Sequence, residues 1–303
     1  MKILLLGKNG QLGWELQRSL APLGELTALD RLGQQDQQIQ HTLCGDLTNL
    51  GGLRQTIIAL KPDVIVNAAA YTAVDKAESE QQLAQLINEQ APKLLAEEAL
   101  KIGAWLVHYS TDYVFDGSGS KAWCETDATG PLSQYGQTKL AGEQAIQDSG
   151  CKYLIFRTSW VYSSRGNNFA KTMLRLAGER ETLSVIHDQV GAPTGAALLA
   201  DCTAHALRQV INDPKLVGLY HVAASGQTTW HDYAEFVIEH VQAMGKELLV
   251  NKIKPITTLE YPTAAQRPLN SRLNTNKFCN SFELVLPEWQ DGVIRMLHET
   301  IEI

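Results

Sequence analysis

An apolar run from Lys2 to Leu6 ends at Gly7-Lys8-Asn9-Gly10-Gln11-Leu12-Gly13 and passes into the amphipathic segment Trp14 to Leu20. This is the spacing G-x-x-G-x-x-G at a strand-to-helix turn. Glycines there permit a tight turn and a close approach of backbone to a pyrophosphate, while unpaired N–H groups and the helix dipole favour negative charge. Lys8 adds a cation beside them. No G-x-x-x-x-G-K-[ST] occurs, which excludes a Walker A reading and leaves a dinucleotide. Asp30, seventeen residues after Gly13, closes the second predicted strand, where an acid would bond a ribose 2′-hydroxyl. Arg31 beside it can instead meet a 2′-phosphate, so the pair leaves NADH and NADPH both open. Asp46 and Leu47 are candidates to contact adenine, with a helix cap or loop aspartate as the alternative reading of Asp46.

The alternation of strand and helix continues. Candidate strands are Lys2 to Leu6, Leu26 to Asp30, Val64 to Ala68, Trp105 to Ser110 and Tyr153 to Thr158, and their unbroken apolar character fits strands buried on both faces. Helices are predicted over Leu83 to Ile102 and Ser133 to Gln147. The expected fold is α/β, a Rossmann-like doubly wound parallel sheet with a smaller C-terminal α/β substrate-binding region. Residues 1–162 are expected to form the dinucleotide-binding domain, recruiting later segments, and 163–303 to form mostly the packed substrate-binding region. Arg31 to Gln40, rich in Gln and without periodicity, is read as a surface loop.

Composition narrows the partners. With 303 residues and 44% hydrophobic side chains the chain is too apolar for disorder. A net charge of −7 disfavours nonspecific nucleic-acid binding, and no apolar run approaches the ~18–20 residues that cross a bilayer. The N-terminal run ends at a glycine turn with no long apolar region or cleavage site, so it reads as a strand and not a signal peptide. Cys44, Cys124, Cys151, Cys202 and Cys279 are odd in number and lack a C-x-x-C pair, which suits reduced thiols in a cytoplasmic protein.

The chemical signal follows the fourth predicted strand. Ser110-Thr111-Asp112-Tyr113-Val114-Phe115 lies at the carboxyl edge of the sheet, where open α/β folds place ligands. Tyr135 and Lys139, four apart at the start of a predicted helix, share a face. A nearby ammonium favours phenolate, so the expectation is a Tyr135 phenol lowered from ~10 into a usable range for proton transfer. Y-x-x-x-K alone is weak, because Tyr and Lys are common helix-surface neighbours. A dinucleotide turn, a strand-end hydroxyl pair and Y-x-x-x-K in that order supply a hydride carrier, a hydrogen-bond donor and a proton donor. That is equipment for carbonyl reduction.

These residues resemble the extended branch of the short-chain dehydrogenase/reductase superfamily and, within it, the dTDP-4-dehydrorhamnose reductases. The resemblance spans most of the chain. It rests on Gly7 to Gly13, Asn67 to Glu78, Ser110 to Asp116, Tyr135 to Glu143, Arg157-Thr158-Ser159-Trp160-Val161-Tyr162, Gly191-Ala192-Pro193-Thr194 and Arg267-Pro268-Leu269-Asn270-Ser271-Arg272-Leu273. It implies NAD(P)H-dependent reduction of dTDP-4-dehydro-β-L-rhamnose to dTDP-L-rhamnose, the last step of a bacterial deoxysugar supply for cell-surface polysaccharide. By the same resemblance Tyr135 protonates the C4 oxygen, Lys139 tunes it and holds the nicotinamide ribose, and Thr111 orients the carbonyl. Ala70, Tyr71 and Thr72 pass along the cofactor, Asp112 binds sugar and Trp160 packs against substrate. Read alone, Trp160 is a buried aromatic closing a strand and Asp112 a turn cap.

Arg267 and Arg272 are candidates to grip the diphosphate, with a solvated loop pair as the alternative. His108 is read as a core histidine, and Asp75-Lys76-Ala77-Glu78 as the first turn of a helix. The resemblance also implies a homodimer and Mg²⁺ held by surface carboxylates. Glu15 is one contributor, but Ala197 stands where a carboxylate is expected, which puts a shared metal site in doubt. Two rival functions share the fold: a nucleotide-sugar 4,6-dehydratase or C4 epimerase, and a non-catalytic regulatory subunit similar to that of methionine adenosyltransferase. A dehydratase typically has an Asp-Glu pair after the Thr, where this chain has Asp112-Tyr113, and retention of Thr111, Tyr135 and Lys139 argues against the regulatory subunit.

Overall fold

Strands that are apolar at every position need cover on both sides, and the chain provides it. The computed structural model describes residues 1–32, 34–35 and 42–301. Its central sheet contains β1 (Lys2–Leu6), β2 (Glu25–Leu29), β3 (Val64–Asn67), β4 (Trp105–Thr111), β5 (Lys152–Thr158) and β6 (Gly218–His221). Their spatial order is β2-β1-β3-β4-β5-β6, and every pairing is parallel.

Alternate residues divide between the two faces, as the period of a strand dictates. Ile3, Leu5, Val64, Val66, Val107 and Phe156 join α1 (Gln11–Leu20) and α6 (Ala196–Asn212) in one core. Leu4, Leu6, Ile65, Leu106 and Ile155 join α2 (Leu50–Leu60), α3 (Ala91–Ile102) and α4 (Gln134–Asp148) in the other. The Rossmann-like doubly wound sheet is therefore present. Five of its strands match the sequence reading to within a residue or two; β6 was not predicted.

The helix expected over Leu83 to Ile102 is built in three parts: Gln81–Gln85, a π-helical turn Leu86–Gln90, and α3. Within the expected loop Arg31 to Gln40, Gln34–Gln35 pairs antiparallel with Thr42–Leu43, a correction to that reading; 33 and 36–40 lie outside the described residues. The later half of the chain divides its work. α6, β6 and α8 (Asn276–Phe282) complete the main sheet and its first core. α5 (Phe169–Glu179), α7 (Trp230–Ala243) and α9 (Trp289–Ile301) pack into two further clusters, around Tyr233, Val237 and Trp289 and around Leu183, Val185 and Ile238. No described helix is long and apolar enough to cross a membrane.

One contact sets the distance between α4 and the π turn. A Cβ added to Gly142 would lie 2.1 Å from the carbonyl oxygen of Asn88. We predict that Gly142→Ala forces the helices apart and costs ~1–3 kcal/mol, read as a fall of several degrees in Tm. An unchanged Tm would contradict this close packing.

Candidate active site

The sheet winds outward in both directions from β1 and β3, so the crevice for a ligand opens between the loops that leave their carboxyl ends. Gly7 begins the first loop at φ +88°, and a Cβ there would lie 2.8 Å from the Ala69 nitrogen in the second. Gly13 is as constrained: its Cβ would lie 2.0 Å from the Gly7 oxygen. Gly7 and Lys8 both donate their backbone N–H to the Leu29 oxygen, at 2.9 and 3.1 Å, and Gln17 Nε2 donates to the Lys8 oxygen at 2.9 Å. The N-cap of α1, Gly10, supplies no side-chain cap, which leaves the first amides of α1 without a side-chain partner. A cradle with no Cβ in it beneath an uncapped helix N-terminus fits a pyrophosphate.

Other predicted cofactor residues surround this turn. Asp30 follows β2, accepts from Asn9 Nδ2 and takes the Leu32 N–H at 2.9 Å, with Arg31 exposed beside it. Gln11 Oε1 receives Asn168 Nδ2 at 3.2 Å, and Leu12 packs against the core. Asp46 Oδ1 accepts from the N–H and hydroxyl of Thr48, and Leu47 is buried. Ala70, Tyr71 and Thr72 lie in the loop after β3.

Thr111 ends β4, and Tyr135 lies in the first turn of α4. Two devices bring them together. Ser133 caps α4 by accepting the Gly136 N–H at 3.2 Å. Gly136 itself lets that turn settle on the one after Thr111, since a Cβ there would lie 2.2 Å from the Tyr113 oxygen. Thr111 Oγ1 donates to Asp112 Oδ1 at 3.0 Å, and the Tyr113 ring meets the Tyr135 ring edge-on at 5.5 Å between centroids.

The phenol does not behave as the Y-x-x-x-K spacing predicts. Burial pushes Tyr135 up to about 12, the Thr111 hydroxyl opposing and the Asp112 carboxylate reinforcing the rise. Lys139 is 2% exposed and directs Nζ elsewhere, donating to the Tyr109 oxygen at 2.5 Å and standing 3.2 Å from His108 Nε2. Burial lowers its ammonium to about 8, with Glu143 opposing. Spacing of four puts two side chains on one face of a helix, but cannot say which of them turns toward the strand.

On the substrate side, Trp160 is half-buried with φ +48° and stacks on Trp230 at 3.5 Å. Arg267 Nη2 pairs with Asp75 at 2.6 Å, and Arg272 Nε donates to Gln227 at 2.6 Å. Val74–Ala77 forms a single helical turn, as Asp75-Lys76-Ala77-Glu78 suggests. His108 is a core histidine, held well below its ordinary pKa by burial and by Lys139. Glu15 lies 3.8 Å from Arg18 Nε, Arg18 Nη2 takes Asp201 at 2.9 Å, and Ala197 offers no side-chain oxygen. These residues do not assemble the octahedral oxygen set that Mg²⁺ requires.

Sequence reasoning missed three side chains. Asn88, on the π turn, brackets Tyr71, accepting its N–H at 2.9 Å and donating to its oxygen at 3.0 Å, and also donates to Thr138 at 3.2 Å. Its signal was a polar residue on the buried stripe Ala84, Ala91, Leu95. Asn67, at the end of β3, bonds His108, and Trp230 forms half of the indole stack.

Asp112 is 2% exposed, and burial raises its carboxyl to about 6. A carboxyl raised above its unfolded value contributes stability at low pH and loses it as pH rises through 6. The stability of Asp112→Asn relative to the parent is therefore expected to rise between pH 4 and pH 8, by about 2–3 kcal/mol. Denaturant titrations at both ends of that range measure it, and a flat or falling difference would contradict the buried carboxyl.

The geometry matches known proteins along the whole chain. A family model described as RmlD substrate binding domain matches residues 1–301. A dTDP-4-dehydrorhamnose reductase of Shigella flexneri is 60% identical over 300 residues, covering 99% of this chain and 98% of that one. The structure of a Bacillus anthracis dTDP-4-dehydrorhamnose reductase in complex with NADP is 35% identical, with TM-score 0.86 and 99% of each chain covered. A Thermus thermophilus UDP-glucose 4-epimerase in complex with NAD, 18% identical with TM-score 0.76 over 99% of this chain and 100% of that one, shares the fold alone. The chain belongs to the RmlD substrate binding domain family.

Proposed function

We propose that this chain is an NAD(P)H-dependent oxidoreductase that reduces the C4 keto group of dTDP-4-dehydro-β-L-rhamnose to give dTDP-L-rhamnose. The observation that carries this reading is the meeting of Thr111 and Tyr135 at the carboxyl end of β4, with Lys139 one turn along α4, in a chain 60% identical to a dTDP-4-dehydrorhamnose reductase. Residues 1–162, with α6, β6 and α8, hold the dinucleotide; the rest of 163–303 forms the sugar side.

When bound, the reduced nicotinamide supplies hydride to C4. The protein's part is to bind, orient and give a proton. Gly7, Gly10, Gln11, Leu12 and Gly13 hold the pyrophosphate, Asp30 and Arg31 meet the ribose, Asp46 and Leu47 face adenine, and Ala70, Tyr71 and Thr72 line the cofactor path. Thr111 orients the ketone and Asp112 and Trp160 hold the sugar. Tyr135 gives its O–H proton to the C4 oxygen. A phenol pushed up to about 12 stays protonated at neutral pH, the form a donor to a developing alkoxide must have. Lys139 approaches the nicotinamide ribose from the same helix.

The dehydratase and epimerase alternatives are less well supported. Tyr113 occupies the place of the second acid, packed edge-on against Tyr135. The decisive assay is NADPH oxidation against a panel of dTDP-4-keto sugars, with turnover of dTDP-glucose without net oxidation as the result that removes the reductase reading. In that assay Tyr135→Phe is expected to lose at least ~10²-fold in kcat with NADPH affinity kept; unchanged turnover would contradict its role. Asp30 beside Arg31 predicts use of both coenzymes, with kcat/KM within about a thousandfold, or ~4 kcal/mol, of each other. A larger ratio would contradict dual use.

A further inference from the structure

His108 is buried between Lys139 and Asn67, and the proposed reaction leaves both His108 and Asn67 unexplained. It is 1% exposed, with Nδ1 3.2 Å from Asn67 Nδ2 and Nε2 3.2 Å from Lys139 Nζ. The Asn67 amide has a fixed orientation, because Oδ1 accepts the Ala69 N–H at 3.2 Å. Its NH₂ therefore faces the ring. An amide NH₂ only donates, so Nδ1 is the acceptor, and a neutral imidazole then carries its proton on Nε2.

That N–H points at Nζ. An amine has a lone pair to receive it and an ammonium has none, so this tautomer accommodates the amine and opposes the ammonium. The other tautomer suits the ammonium but sets an Nδ1–H against the Asn67 NH₂. Turning Asn67 over would relieve that conflict by releasing the Ala69 N–H, in the loop that closes on Gly7. Every route to the ammonium thus costs a hydrogen bond in the Asn67-His108 pair or in the cofactor loop.

We propose that Asn67 and His108 are positioning residues that fix the proton affinity of Lys139 through the tautomer of the imidazole. The inference rests on the reductase reading for its kinetic consequence but not for its structural one. The remaining groups around Nζ act in known directions. Glu143, one turn along α4, favours the ammonium and is itself gripped at 2.6 Å by Arg157 from β5. From β4, Tyr109 offers its carbonyl, while its phenol bonds Thr203 at 2.7 Å. Tyr135 lies one turn earlier on α4, where the Asp112 carboxylate and Tyr113 face it.

Two measurements on the full chain test this. In ¹⁵N-imidazole NMR, assigned with His108→Gln, His108 is expected neutral from pH 6 to 9, with the proton on Nε2 once Lys139 is the amine, above its value of about 8. Asn67→Asp, whose carboxylate accepts an Nδ1–H, is expected to switch it to the other tautomer. A His108 that titrates in this range, or keeps one tautomer in both proteins, overturns the proposal. In the pH profile of kcat with NADPH and the keto sugar, the alkaline limb is expected near the Lys139 value of about 8. Both Asn67→Asp and His108→Gln give the ammonium an acceptor, so each is expected to move that limb up by about one pH unit, a tenfold change in proton affinity. The NADPH Kd of His108→Gln should change less than about threefold, some 0.7 kcal/mol. A kcat lowered evenly across pH, with the limb unmoved, marks a merely structural role and overturns the proposal. Absence of keto-sugar reduction in the parent would remove the reductase reading while the NMR experiment still decides the tautomer.

Discussion

The buried head of Lys139 is the constraint around which the site is arranged. Lys139 sits 2% exposed at the seam between α4 and the sheet, and a polar head in that position is costly without hydrogen-bond partners. Its partners come from β4, the Tyr109 carbonyl and the His108 ring, so α4 is tied to the strand that ends in Thr111. The same seam holds the Glu143 and Arg157 ion pair, three hydrogen bonds between α4 and β5. These buried polar links fix the register of the helix, and with it the place of Tyr135 relative to the carboxyl edge of the sheet. They are specific because each leaves a costly orphan if the helix slides.

The charges of the molecule then make sense together. A chain with net charge −7 that takes a dinucleotide and a diphosphate sugar needs local positive potential. The α1 N-terminus supplies part of it through backbone dipoles, without a side-chain cap to compete. Arg267 is positioned near the Tyr113 phenol but held by Asp75, so binding a diphosphate there has to displace the Asp75 carboxylate.

Much of this was legible in the sequence, for a definite reason. The strands β1, β3 and β4 are buried on both faces, so their apolar runs at 3–6, 64–66 and 105–107 are unbroken and visible by composition. The glycine turn was legible because Gly7 and Gly13 occupy places where a Cβ has no room. β6 was missed because Gly218–His221 offers only two consecutive apolar residues, Leu219 and Tyr220, between a glycine and a buried His. The π turn was missed because an extra residue in a helix leaves the apolar stripe nearly unchanged. The Tyr135 and Lys139 pair was found by spacing, but the direction in which Lys139 points depends on His108 and Tyr109, which are thirty or so residues away. Non-local partners of this kind leave no periodic trace.

The central claim is that hydride passes from the dinucleotide to C4 of the sugar while the protein supplies the proton. NADPH carrying deuterium at the transferred position, incubated with dTDP-4-dehydrorhamnose and this chain, tests it in one product spectrum. One deuterium on C4 of the product sugar is expected. Deuterium absent from C4, with hydrogen from solvent in its place, would contradict it.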